Sequence, residues 1–332
     1  MSPLPPPTGT GPTLLPATIP QSEETRLAEL LTQAQDFAKG ARAENTLRAY
    51  RSDWRDFENW CRERNLVSCP ASPQTVALYL TALSRTHKVS TLTRRISAIS
   101  QAHQTAGFAS PTEESPVRLV MAGIRRSLGT AAEAKRPLLV PDLQAMVNAI
   151  PENLIGLRDR ALLLIGFSGA FRRSELVSLN CEDLAETADG LVITLRRSKT
   201  DQEAEGRKVA IPRGREEATC PVRAIQAWQE AAEVTAGAVF LRVNRHGLII
   251  RQRLSAEAVA IVVKRWAGRI GYKTREFAGH SLRSGLATSA AIAGKSERAI
   301  MNQTGHRSVA TLRRYIRDGN LFRENAAGGI GL

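Results

Sequence analysis

Apolar side chains recur at three- and four-residue intervals through the first third of the chain, the spacing that collects them on one face of an α-helix. Leu27, Leu30, Leu31, Ala34 and Phe37 make the first such set. Leu47, Tyr50, Trp54, Phe57 and Trp60 make a second, with Asn45 placed to cap its start. Pro70 and Pro73 interrupt the pattern, and Val76, Leu78, Tyr79, Leu80 and Leu83 resume it. A fourth helix is expected behind Ser90 as its cap, with Leu92, Ile96, Ile99 and His103 facing inward. Residues 107–116 read as a loop and 117–128 as a fifth helix. Folded sequence is expected to begin near Ser22, giving an all-helical domain over 22–128.

The pattern changes after residues 129–141, which are small, charged and flanked by proline and read as a linker. In the second domain, 142–332, Leu143, Met146, Val147 and Ile150 predict a helix, and 157–167 a buried one. Residues 190–195 alternate as a strand does, and 208–211 make a second short strand across a polar turn over 199–206. Helices are expected to dominate from Pro221 to Phe322. The fold class is therefore mainly α, with a small β-sheet in an α+β second domain. Residues 1–21 hold seven of the 16 prolines and no charged side chain, so they read as a disordered, partly polyproline arm. They lack the basic and apolar stretches of a signal peptide.

Charge narrows the partner. Lys and Arg number 46 against 32 Asp and Glu, a net charge of +14 that suits a nucleic acid. Codon bias can turn Lys into Arg, but it does not create net charge. Cys61, Cys69, Cys181 and Cys220 form no CxxC pair and no zinc spacing, so they are expected to be four buried thiols in a reducing cytosol. No apolar run approaches a membrane span, and no membrane partner is expected.

Four short motifs carry candidate chemistry: FRRSEL at 171–176, SKTD at 198–201, GHSLR at 279–283 and GHRSVATLRRY at 305–315. They supply Arg172, Lys199, His280, Arg283 and His306, followed by a late tyrosine, Tyr315. Opening a phosphodiester without a metal needs donors on the non-bridging oxygens, a nucleophile, and an acid for the leaving oxygen. Arginine suits the first task because its planar fork donates to two phosphate oxygens at once. His280 and Arg283, three apart, share one helix face behind Gly279. Arg172 follows Gly169–Ala170–Phe171, a break expected to leave it at the start of a short helix, where backbone N–H groups also favour an anion.

In this order the motifs resemble the active site of the tyrosine recombinases, the phage and plasmid integrase family that includes Cre. The resemblance implies a helical core-binding domain and a catalytic domain that together form a C-shaped DNA clamp. It selects Arg172 over Arg173, because Arg172 stands three before Glu175, and it makes Glu175 an orienting group for the cations. Lys199, one of eight lysines, would protonate the leaving 5′ oxygen from the tip of a hairpin, with Lys208 as its substitute. Tyr315 would form a 3′-phosphotyrosyl link, with neither cofactor nor metal. Thr46 and Arg48 on one helix, and Thr91, Arg94 and Arg95 on another, pointing away from Leu92 and Ile96, would face the major groove.

The implied function is site-specific recombination or integration on double-stranded DNA with inverted-repeat sites, by a homotetramer on DNA. The implied location is the cytoplasm of a bacterial host, in the nucleoid or encoded by a phage or plasmid. The tail, through Leu321 and Phe322, would dock on a neighbouring copy. A type IB topoisomerase-like relaxing enzyme shares the chemistry, and a catalytically silent DNA-binding regulator shares the fold. No Asp/Glu cluster suggests a metal-dependent nuclease.

Overall fold

A computed structural model describes residues 25–33, 44–130, 135–196 and 206–320. The chain divides into two units, Met1–Ala132 and Glu133–Leu332. The proline-rich arm, Lys199 and the Leu321–Phe322 tail lie outside the described residues.

The first unit is helical: α1 over 25–33, α2 Glu44–Arg62, α3 Pro73–Ser84, α4 Val89–Thr105 and α5 Ser115–Leu128. Helix α2 starts one residue before its expected cap, with Glu44 in the first turn and Arg62 in the last, each matching the helix dipole. Ser72 caps α3 by accepting from the Thr75 N–H at 3.1 Å, and Pro73 fills the first turn, where its missing N–H costs nothing. Lys88, not Ser90, is the cap residue of α4. The expected loop over 107–116 contains a 3₁₀ turn, Pro111–Glu113.

Phe57 and Cys61 of α2, Tyr79 and Leu80 of α3, Leu92 and Ile99 of α4, and Met121 of α5 form the core of this unit. The Phe57 and Tyr79 rings meet edge to face at 5.0 Å. His103 is fully buried, with Nδ1 2.9 Å from the Ile99 carbonyl and Nε2 accepting from the Ala71 N–H at 2.8 Å. Nδ1 therefore carries the proton, and the imidazole is a neutral strut. Cys61 and Cys220 are buried as expected, whereas Cys69 and Cys181 are only half-buried.

In the second unit the order is α6 Val140–Asn148, α7 Leu154–Ser168, α8 Arg173–Ser178, β1 Leu184–Thr187, β2 Gly190–Leu195, β3 Arg207–Pro212 and α9 Pro221–Ala231. Then come β4 Leu241–Val243, β5 Ile249–Arg253, α10 Ala256–Arg269, α11 His280–Ile292, α12 Glu297–Thr304 and α13 Val309–Asn320. The sheet is antiparallel in the order β1-β2-β3, with Leu195 opposite Arg207 and Ile193 opposite Val209. It has three strands where the sequence predicts two, and β4 pairs with β5 inside the stretch read as helical. β1 is four residues long and mostly exposed, and β5 reads IIRQR, so neither shows the alternation that marks a half-buried strand.

Helix α7 is buried nearly all round, and Asn153 caps it by accepting from the Gly156 N–H at 2.9 Å. Part of the expected linker belongs to this unit. The Arg136 N–H donates to the Glu276 carbonyl at 2.9 Å and the Leu138 N–H to the Ser281 carbonyl at 3.0 Å. At Gly285 of α11 a Cβ would stand 1.9 Å from the Leu138 oxygen, so only glycine lets the segment pass.

Candidate active site

The turn between α7 and α8 starts the site. Ala170 is fully buried with φ 50°, a left-handed conformation that costs a non-glycine residue about 1 kcal/mol or more. The conformation turns the Ala170 carbonyl to accept from Nη1 of Arg283 at 2.8 Å. Arg172 follows as the cap residue of α8, and Glu175, 2% exposed, accepts from it twice. Oε2 takes the Arg172 backbone N–H at 2.9 Å and Oε1 takes Nη1 at 2.6 Å. Of the backbone N–H groups at this helix start, that of Arg172 is held by Glu175. The orienting part expected of Glu175 rests on these two bonds.

Helix α11 brings His280 and Arg283 onto one face. Arg283 is 1% exposed, and its Nη2 has no partner among the described residues. Burial, then the Arg172 charge, lowers its pKa to about 10, so it stays a cation at neutral pH. His280 is open to solvent on one side, yet the protein around it, then Arg283 and Arg172, hold its pKa below the usual imidazole value. Its Nε2 lies 2.8 Å from the Tyr315 hydroxyl.

His306 follows Gly305, which ends α12 in the left-handed region at φ 65°. Its Nδ1 is 2.7 Å from Oγ1 of Thr304. Burial and then Arg283, Arg172, His280 and Arg207 push its pKa down to about 4, so the ring is neutral at pH 7. Tyr315 on α13 lies between the two imidazoles, with ring centroids 6.2 Å from His280 and 5.9 Å from His306. Leu312 of α13 is buried with Ala287, Ala291 and Ile300, and Tyr315 packs against that cluster.

The structure thus gathers Arg172, Glu175, His280, Arg283, His306 and Tyr315 from α8, α11, α13 and the loop after α12. Arg207, the first residue of β3, belongs to the same electrostatic cluster and was missed by sequence reasoning. It follows directly on Gly206, and its contacts are to backbone carbonyls, which carry no sequence signal. Tyr50 is half-buried, Tyr79 is buried, and Tyr272 donates to Asp142 at 2.7 Å.

The candidate groove-facing residues of the first unit are treated unequally. Arg48 is exposed and paired with Glu44 at 3.1 Å. Thr46 and Thr91 are half-buried. Arg94 is exposed and held in a fork by Asp53, with Nη2 to Oδ1 and Nε to Oδ2 both at 3.0 Å. Arg95 does not point outward: it is 8% exposed and bonded to Asp56 and the Tyr79 hydroxyl. It stands three after Leu92 and four before Ile99, hence on the core stripe of α4. Sequence reasoning missed Arg51 and Arg55, which line one surface depression with Arg48, Ser52 and Asp56 on α2.

No helix among the described residues is long and apolar enough to cross a membrane, and no group of three or more His, Cys, Asp or Glu is placed to hold a metal ion.

Two family profiles match the chain: "Phage integrase family" over residues 138–320 and "Phage integrase, N-terminal SAM-like domain" over 37–107. An integrase/recombinase xerD homolog of Selenomonas ruminantium is 41% identical over 290 residues, covering 86% of this chain and 85% of that protein. Recombinase cre of Escherichia phage P1 is 26% identical over 328 residues, 92% of each chain. Among solved structures, the Tn1549 transposon integrase with circular intermediate DNA is similar at TM-score 0.60 and 18% identity, over 86% of this chain and 93% of that one. The lambda integrase dimer on a COC′ core site is similar at TM-score 0.56 and 19% identity, over 88% and 95%. At such identity these two show a shared fold.

Proposed function

Because this chain belongs to the phage integrase family, the tyrosine recombinases, we propose that it cuts and rejoins double-stranded DNA at specific sites through Tyr315. The observation that carries the reading is one hydroxyl set against a neutral imidazole beside buried Arg283 and half-buried Arg172. As the Tyr315 oxygen bonds to phosphorus, its proton passes to Nε2 of His280, 2.8 Å away. The bond from phosphorus to the 5′ oxygen breaks, and that oxygen takes a proton from Lys199. The product is a 3′-phosphotyrosyl link and a free 5′ hydroxyl. Attack by a partner strand's 5′ hydroxyl reverses the step, so the link conserves the bond energy.

Arg172 and Arg283 hold the non-bridging oxygens. Such donors are most effective where the charge develops in a site closed to water. The unpartnered Nη2 of Arg283 suits this task, since a buried donor without an acceptor is costly until a ligand supplies one. His306 presents its Nε2 edge while Thr304 holds Nδ1. Arg48, Arg51, Arg55 and Arg94 of the first unit contact DNA, and the two units serve as core-binding and catalytic domains. Exchange between two duplexes needs four coordinated cuts, so a tetramer forms on paired inverted-repeat sites. The reaction takes place where a bacterial host keeps its DNA.

The test is covalent capture. A site is selected with the protein from a randomised duplex library, then rebuilt with a nick that lets the 5′ fragment escape. The protein should be trapped on the 3′ side of the break, and Tyr315→Phe should bind the site yet trap nothing. Trapping that survives in Tyr315→Phe, or maps to Tyr50, Tyr79 or Tyr272, would overturn the assignment.

A further inference from the structure

The last turn of α12 is held in an unusual way. A helix ends with carbonyls that lack intrahelical partners. Gly305 satisfies one here, donating its N–H to the Met301 oxygen at 2.7 Å. The next two are taken by a side chain from a distant strand: Nη1 of Arg207 donates to the Gln303 carbonyl at 3.1 Å and to Asn302 at 3.4 Å. Gln303 ties the same turn down from the other side, its Nε2 donating to the Ser168 carbonyl at 2.7 Å and to Ala210 at 3.1 Å. A Cβ on Gly305 would come within 2.9 Å of Nε of Arg207, so the guanidinium lies flat against the residue before His306.

Thr304 transmits this hold. It is fully buried, its Oγ1 donates to the Ile300 carbonyl at 2.7 Å, and the same oxygen meets Nδ1 of His306. Whatever places the last turn of α12 therefore places the His306 ring. A plain helix cap would not need a half-buried guanidinium, its Nη2 enclosed with no partner among the described residues, beside the Arg172 charge. Like charges packed together are unfavourable, and their retention points to use in the pocket.

We propose that Arg207 is a positioning residue of the transfer site, capping the last turn of α12 and, through Thr304, fixing the imidazole of His306. This rests on the reading of His306 as part of the cleavage pocket, but the geometry can be tested without DNA. In the free protein, Arg207→Ala should shift the imidazole ¹⁵N signals of His306 and leave those of His103 in the first unit unmoved. On the selected nicked duplex, the variant should bind like the parent but form adduct about 10²-fold more slowly, the loss typical of a misplaced group. In a His306→Ala background the same change should cost no more than about twofold, because residues that act as one unit are not additive. Arg207→Lys, which keeps a cation and shorter donors, should fall between and guards against an alanine variant that fails to fold. Unmoved His306 signals, or an undiminished loss in the His306→Ala background, would overturn the proposal. If the parent forms no adduct at all, the functional reading falls, while the imidazole signals still decide the positioning.

Discussion

The Tyr315 hydroxyl and Nε2 of His280 are 2.8 Å apart, on helices α13 and α11, 35 residues apart in the chain. A phenol and an imidazole thus meet before any DNA is present. If His280 receives the phenol proton, His280→Gln should slow adduct formation most near neutral pH. The loss should shrink as pH rises and hydroxide takes over the deprotonation. A pH-independent loss would give His280 another task.

Arg172→Ala and Arg283→Ala should each reduce single-turnover cleavage by about 10²–10³-fold, the usual effect of losing one preorganised donor. Equilibrium binding of the site should change little, because many other phosphate contacts persist. EDTA should leave the parental rate intact. A strict requirement for Mg²⁺ in the cleavage step would contradict the proposed chemistry.

His306 offers a pH signature. Its pKa falls from 6.5 to about 4 in the folded chain, chiefly through burial and then Arg283. Folding therefore favours the neutral ring: its contribution to stability is complete above about pH 6.5 and is lost as pH falls through about 4. NMR titration of the free protein should show His306 still neutral at pH 5.5. Bound DNA, by bringing phosphate among the same cations, should raise its pKa. A free-protein midpoint near 6.5 would mean the pocket is open and hydrated.

Arg94 and Arg95 are neighbours with different expected phenotypes. Arg95→Ala leaves Asp56 and the Tyr79 hydroxyl without their cation and should lower the unfolding midpoint of the first unit. Its cost should fall short of the about 3–5 kcal/mol of a fully buried pair, since Asp56 is half-exposed. Arg94→Ala takes the fork from buried Asp53 and should also lower the midpoint, but it should weaken DNA binding as well. Circular dichroism melts and binding isotherms of both variants separate the two; an unchanged melt for Arg95→Ala would refute its buried role.

Lys199 has a chemical test of its own. When the leaving 5′ oxygen is replaced by sulfur, a thiolate departs without a proton. Lys199→Ala should be slow on ordinary DNA and largely restored on the 5′-phosphorothiolate. Equal defects on both substrates would move the acid elsewhere, with Lys208 next to be examined.

Much of the pocket could be read in the sequence because its side chains are local pairs. His280 and Arg283 share a face by spacing alone, and Arg172 and Glu175 do so across one helical turn. Arg207 gave no such signal, because its partners are carbonyls about 95 residues away and every residue has a carbonyl. Arg95 was misread for a different reason. Its charge outweighed its register in the reading, although three residues from Leu92 and four from Ile99 already placed it inside. The β4–β5 hairpin was invisible because its exposed Arg251, Gln252 and Arg253 mask any alternation. Arg253 is nevertheless structural, its Nη1 donating to the Val177 carbonyl at 2.7 Å.

The stitching of residues 136–138 onto the segment that opens α11 has a mechanical meaning. From residue 136 the chain is already fixed to the second unit. It is fastened at Glu276 and Ser281 and laid flush across Gly285, on the same helix as His280 and Arg283. Residues 136–138 thus form a strap buckled to the helix that carries two pocket cations.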